Sequence, residues 1–347
     1  MGKPALRLAL AMLSTVVVTT CHSTQLLYAQ LPAPSNRPFG VYVNLVDINA
    51  GGFDDAVTAL RRGVGASGWQ VVADYDVGVD RKDCSHRAHV FVLHSPAYAR
   101  AVLQHGAVAA FALPLRVAVY QDERGIHVAA ANPRSLNRTI IAEAGFETQS
   151  DSALGALQRI VATAFPGQLS EREYGQIRDR GLIGKTMGLM AGGPFPGKVE
   201  TVAAVALKQG ETVAAVAQRV YRGLERLGHT RKWEMRPVYL LDLADQGVVI
   251  IGVTGAPMEA RAMHIVGEGN DDTRKSLACP GLDHAAAFPV ELVLSQSGGH
   301  VTVTMIDAMF RMKMYFEDAG NMKFAANMTM PGSIGDEIKD EVEEALY

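Results

Sequence analysis

Apolar positions change period several times between residues 41 and 132, and the same succession returns between 201 and 306. Val41-Tyr42-Val43-Asn44-Leu45-Val46 is alternating and β-branched, which predicts a strand. From Phe53 onward Ala56, Val57, Leu60 and Val64 recur at helical spacing, with Asp54 and Asp55 where they complement the helix dipole and Gly68 beyond the end. Strands follow at 69–75 and 89–93, then Ser95-Pro96 supplies a cap and a first-turn proline for a short helix. Strands at 115–120 and 126–131 close the stretch around the turn Asp122-Glu123-Arg124-Gly125. The second stretch gives a strand at 201–207, an amphipathic helix at 211–227, a buried strand at 248–254 and a hairpin from 290–294 and 301–306.

Short motifs show that the two stretches are copies. Arg62-Gly63-Val64 returns as Arg222-Gly223-Leu224, Pro96 and Arg100 return as Pro257 and Arg261, and Leu113-Pro114-Leu115-Arg116 aligns with Phe288-Pro289-Val290-Glu291. The offset is 160 at Arg62, 161 at Pro96 and 175 at Pro114, so an insertion, residues 266–282, sits in the second copy. A period this long describes a duplicated domain, because each copy can close its own core. The fold expected is α+β: two similar two-layer domains, each a mixed or antiparallel sheet with helices on one face. Residues 38–165 form the first, 198–347 the second, and 166–197 a helix and a Gly/Met/Pro-rich linker. Gly184-Lys185-Thr186 in that linker is no phosphate loop, since Asp179 stands where the pattern needs glycine. The closing stripe Ile334, Ile338, Val342 and Leu346 predicts a helix that docks on the second domain or pairs with another chain as a homodimer.

Composition then narrows the function classes. The 347 residues are 48% hydrophobic and 20% charged with a net charge of -3, an ordinary globular balance that leaves no field for nucleic acid. Lys3 and Arg7, an apolar run from Leu8 to about Val18 and small residues through Ala29 have the order of a secretory signal over residues 1–29, too short for a membrane span. The protein is therefore expected in the periplasm or secreted, with lipid attachment at Cys21 the competing outcome. Removal of that segment leaves Cys84 and Cys279, which form either a bridge between domains or two thiols.

The strand after Leu113-Pro114, its charged turn, the second strand and Asn132-Pro133 resemble the signature of the family called domain of unknown function 302, and the region from Phe288-Pro289 to Asp307 is similar in the same way. The resemblance implies a small α+β domain, here in tandem, and no activity. Members often carry a cysteine just after the motif proline, where this chain has Leu115 and Val290, so thiol chemistry tied to that position is absent.

No residue constellation specifies catalysis. His89 and His94 fall on opposite faces of their strand, and Asp283-His284 in the second copy is an acid/base pair only if a neighbouring carboxylate orients the imidazole. The role expected is binding of a small molecule or an envelope protein in the groove between the domains, with Arg100, Arg261, His284 and Met309 as candidate contacts. The alternative is copper held by the thioethers of Met312, Met314, Met328 and Met330, residues that also suit plain packing among aromatic side chains. No other cofactor is expected.

Overall fold

Strands with the same neighbours form two antiparallel sheets. In the computed structural model, which describes residues 37–80, 84–141, 144–167, 169–178, 195–269 and 271–347, the first sheet has the order β2-β3-β4-β5-β1-β6 and the second β7-β11-β10-β9-β8. The strands are β1 Phe39–Ile48, β2 Gln70–Asp76, β3 Ala88–His94, β4 Leu115–Asp122, β5 Gly125–Ala131, β6 Glu173–Arg178, β7 Val199–Ala206, β8 Arg236–Leu243, β9 Val248–Thr254, β10 Val290–Ser297 and β11 His300–Ile306. Matching β1 to β7, β2 to β8, β3 to β9, β4 to β10 and β5 to β11 reproduces one order from the other, with β6 as an addition. The molecule is α+β. The signal-like start 1–29 with Cys21, and residues 179–194 of the linker with Gly184-Lys185-Thr186, lie outside the described residues.

The helices extend the correspondence past the hairpins, where the sequence motifs stop. They are α1 Phe53–Gly65, α2 Pro96–Leu103, α3 Pro133–Ile140, α4 Glu147–Ala164, α5 Val213–Leu227, α6 Ala256–Gly267, α7 Ala308–Phe316 and α8 Thr329–Leu346. Both hairpins run into a capped helix: Asn132 accepts from the Arg134 N–H ahead of α3, and Asp307 from the Phe310 N–H ahead of α7. The 18-residue helices α4 and α8 then lie on α1 and α5. The Arg-Gly motif explains how they come so close. A Cβ on Gly63 would stand 2.8 Å from the Ile160 carbonyl oxygen, and one on Gly223 would stand 2.1 Å from the Ala345 Cβ. The closing helix therefore docks on its own half, with Ile338 and Val342 buried.

Both faces of each sheet are covered, so β1, β3, β4, β9 and most of β10 are buried without the in-out alternation of a one-sided sheet. The two halves cover each other. A 3-10 segment ahead of β4, Ala107–Ala112, packs on β9 and β10, and its counterpart ahead of β10, Leu282–Ala287, packs on β3, β4 and β5. Each segment ends at a motif proline, Pro114 or Pro289, and both prolines follow cis peptide bonds.

One segment differs from the sequence reading. Residues 173–178, expected within a helix and linker, form β6 on the outer edge of β1. That pairing depends on distant residues: Tyr174 stacks on Tyr42 at 5.3 Å, and only glycine at position 40 lets the Tyr174 backbone approach.

Candidate functional site

The interface between the halves is polar at its centre. Arg116 on β4 and Glu291 on β10 occupy matching positions of the two sheets, one residue past Leu115 and Val290, and they pair with each other while both are buried. Arg116 also donates to the Tyr315 hydroxyl. Arg311 donates to the carbonyls of Ala287 and Pro289 at 2.7 and 2.6 Å and reaches Glu291 at 3.4 Å. Burial opposes the charge on Arg116, yet Glu291 and Tyr315 hold its guanidinium above its ordinary range.

A second ionic cluster ties the insertion to the first half. His284 has no exposed surface; its Nδ1 lies 2.9 Å from Asp283, and its Nε2 lies 3.0 and 3.1 Å from the two oxygens of Asp318. Arg274 donates to both carboxylates, to Asp283 at 3.1 and 3.2 Å and to Asp318 at 3.0 Å. The first half contributes Tyr42, edge-on to the imidazole at 4.7 Å, and Tyr174, whose hydroxyl donates to the Asp283 carbonyl at 2.6 Å. Burial works to discharge His284, but Asp318 and Asp283 outweigh it and push its pKa up to about 9. Burial likewise opposes charge on Asp283, which His284 and Arg274 nevertheless hold well below the usual carboxylate range. His284 is thus an imidazolium donating from both nitrogens. The adjacent Asp283-His284 pair does form, but with Asp318 on the other nitrogen no ring atom is left to take a proton or hold a metal.

Beside these clusters an open cleft of about 330 Å3 lies where the segment after β2 meets α6 and the insertion. Val79 and Asp80 contribute from the first half, and Arg261 and His264 from α6. The Cys84–Cys279 disulfide forms another part of its lining and joins the halves with a Cα–Cα distance of 5.0 Å. The segment is held close by backbone fit. A Cβ on Gly78 would fall 2.4 Å from the Ala256 Cα, and the Gly78 N–H donates to Glu259 at 2.6 Å. The other Glu259 oxygen accepts from the Thr254 hydroxyl at 2.5 Å, and burial raises this carboxyl to about 7. Arg261 donates to Asn327 at 2.8 Å, which orients its guanidinium at the rim.

The residues singled out in the sequence do not share one place. Arg261 lines the cleft, whereas Arg100 is exposed on α2 and absent from the lining. His284 is interior, and Met309 is half-buried on α7. Met312 and Met330 line a separate, largely apolar cavity of about 60 Å3 that also includes Arg311, Phe316 and Ile338. Met314 is fully buried and Met328 exposed, and neither lines that cavity. Among the described residues no group of three or more His, Cys, Asp or Glu side chains is placed to hold a metal ion, and no helix is long and apolar enough to cross a membrane.

The interface residues Arg116, Glu291, Arg311, Asp318 and Tyr42 were not among the expected contacts. For Arg116 and Glu291 the signal existed, as opposite charges at one repeat position inside otherwise apolar strands. Asp318 and Arg274 carry no local pattern, since Asp318 meets His284 34 residues away and Arg274 meets Asp283 and Asp318 9 and 44 residues away.

Comparison with known proteins supports part of the resemblance. Residues 46–164 match the family described as Domain of unknown function DUF302. A solved chain, an uncharacterized conserved protein DUF302 from Bacillus stearothermophilus, is 15% identical, with 36% of this chain and 98% of that chain covered and a TM-score of 0.32. No curated protein matches the chain.

Proposed function

We propose that this is an exported binding protein built from two copies of the matched domain, which holds a small anionic molecule in the cleft between them. The common strand order, the matching 18-residue helices and the paired motif prolines support the tandem reading. Export is supported by the signal-like order of residues 1–29 and by a disulfide, the state of cysteines in an oxidising compartment.

The observation that carries the binding reading is the cleft. Its volume of about 330 Å3 is at the lower end of small-molecule sites, about 300–1,000 Å3. Val79, Ala260, Met263 and Leu282 give the cleft an apolar wall and the exposed Arg261 and His264 stand along it, a chemistry suited to a compact body carrying a carboxylate or similar anion. Copper at Met312, Met314, Met328 and Met330 has no comparable support, because these residues divide among a cavity wall, the core and the surface.

Native mass spectrometry of the protein taken from its own cell envelope tests the proposal. Wild type is expected to retain a small molecule, and Ala260→Trp, which fills the cleft from the half-buried face of α6, is expected to lose it while keeping its unfolding midpoint. Retention of the same mass by both proteins, or by neither, contradicts the reading.

A further inference from the structure

The bridge between the halves is a wall of the cleft, and its two sulfurs are not in equivalent surroundings. Cys279 is 4% exposed, whereas Cys84 is only half-buried. The His86 N–H donates to the Cys279 Sγ at 3.4 Å, a contact that strengthens if that sulfur becomes a thiolate. Arg261 and His264 line the same cavity. The halves are also held without the bridge, by the Arg116–Glu291 pair and by the His284 cluster resting on Tyr42 and Tyr174. The fold therefore has other ties if the S–S bond opens.

We propose that the Cys84–Cys279 disulfide undergoes thiol–disulfide exchange with a small, carboxylate-bearing thiol seated in the cleft, an activity that rests on the binding reading above. The incoming thiolate attacks the accessible Cys84 Sγ and forms a new S–S bond there. The Cys84–Cys279 bond breaks, and its electron pair leaves on the Cys279 Sγ as a thiolate facing the His86 N–H. The products are a mixed disulfide on Cys84 and a free Cys279 thiolate, with no net change in electron count. Stabilising the leaving thiolate speeds such an exchange, and direction is set by which sulfur is open to attack. Arg261 acts as a positioning residue for the thiol's carboxylate.

The test uses the oxidised full-length protein and two probes, glutathione with two carboxylates and 2-mercaptoethanol with none, at equal thiolate concentration. Adduct formation is followed by intact mass, and its site by peptide mapping. The adduct is expected on Cys84, forming about tenfold faster with glutathione than with 2-mercaptoethanol, the low end of the rate gain from electrostatic attraction in a cleft. Arg261→Ala should bring the glutathione rate down toward that of 2-mercaptoethanol. Cys279→Ser, which leaves Cys84 a free thiol with no S–S bond to attack, should form no adduct with either reduced probe. An adduct on Cys279, or equal rates for both probes in wild type, overturns the proposal, and equal rates also remove the cleft's preference for anions. Absence of any adduct until the protein unfolds overturns the exchange alone, leaving ligand retention in native mass spectrometry to judge the cleft.

Discussion

At four matching positions the first half is apolar where the second is charged or polar. The offset of 175 pairs Val108 with Asp283, Ala109 with His284, Leu136 with Arg311 and Ile140 with Tyr315. All but the half-buried Val108 and Asp283 are buried, so the difference is chemistry within a common topology. The second half supplies most of the charge in both clusters, and the first half contributes Tyr42, Tyr174 and the buried Arg116. The sheet margins differ too. β1 is flanked by β6, while β7 is an edge strand whose Ala204 carbonyl accepts from the Tyr347 hydroxyl at 3.0 Å. The two sheets thus share a strand order, and the ion pairs lie where the halves meet.

The largest effect is expected from breaking the one charge pair that spans matching positions. Arg116→Leu leaves the buried Glu291 with Arg311 alone and should cost about 3–5 kcal/mol, while Arg116→Leu combined with Glu291→Leu should recover most of that loss. Exchanging the charges, Arg116→Glu with Glu291→Arg, sharpens the comparison, because positions that truly face each other should tolerate the exchange better than either single reversal. Urea denaturation of wild type and these five variants measures this, and single variants within about 1 kcal/mol of wild type would place the pair at the level of an exposed salt bridge.

A smaller effect follows from the cluster that the first half lacks. The folded protein holds His284 protonated up to about pH 9 against an ordinary 6.5, so the stability it contributes is complete below 6.5 and is lost as pH rises through 9. Asp283 and Asp318 have lowered pKa values, so their contribution is present above the usual carboxylate range and is lost on acidification. Glu259, raised to about 7 by burial, works in the alkaline direction with His284: it favours the folded state at low pH and loses that advantage between 4.5 and 7. Wild type should lose about 2–3 kcal/mol between pH 6.5 and 9.5, and His284→Asn should flatten that slope. An unchanged slope in the variant would show that the imidazole titrates normally.

Periodicity and repeated motifs made most of the architecture legible in the sequence. The strand, helix, paired strands, short helix and hairpin of the first half, the strand, helix, buried strand and hairpin of the second, and the docking helix at the end occur close to where apolar spacing puts them, while β8 was not placed by spacing. β6 was hidden because Glu-Tyr-Gly-Gln-Ile-Arg has no strong local alternation and owes its place to Tyr42 and Gly40, more than 130 residues earlier. The site was less legible for the same reason. Arg261 could be picked from the Pro-x-x-x-Arg repeat, but the identical motif put Arg100 on an open surface, since only α6 is met by the segment after β2. His284, expected as a contact in the groove, is instead enclosed by Asp318 and Tyr42, which lie far from it in sequence.

The two halves meet beside one cleft, lined by Val79, Arg261 and His264, and a small anion is expected there. The most direct measurement is a crystallographic difference map of the protein isolated from its own envelope without added ligand. Density for an anionic molecule bounded by Arg261, His264 and Val79 is the result expected. Density instead in the apolar cavity beside Met312 and Met330, with the cleft holding only solvent, would contradict the account.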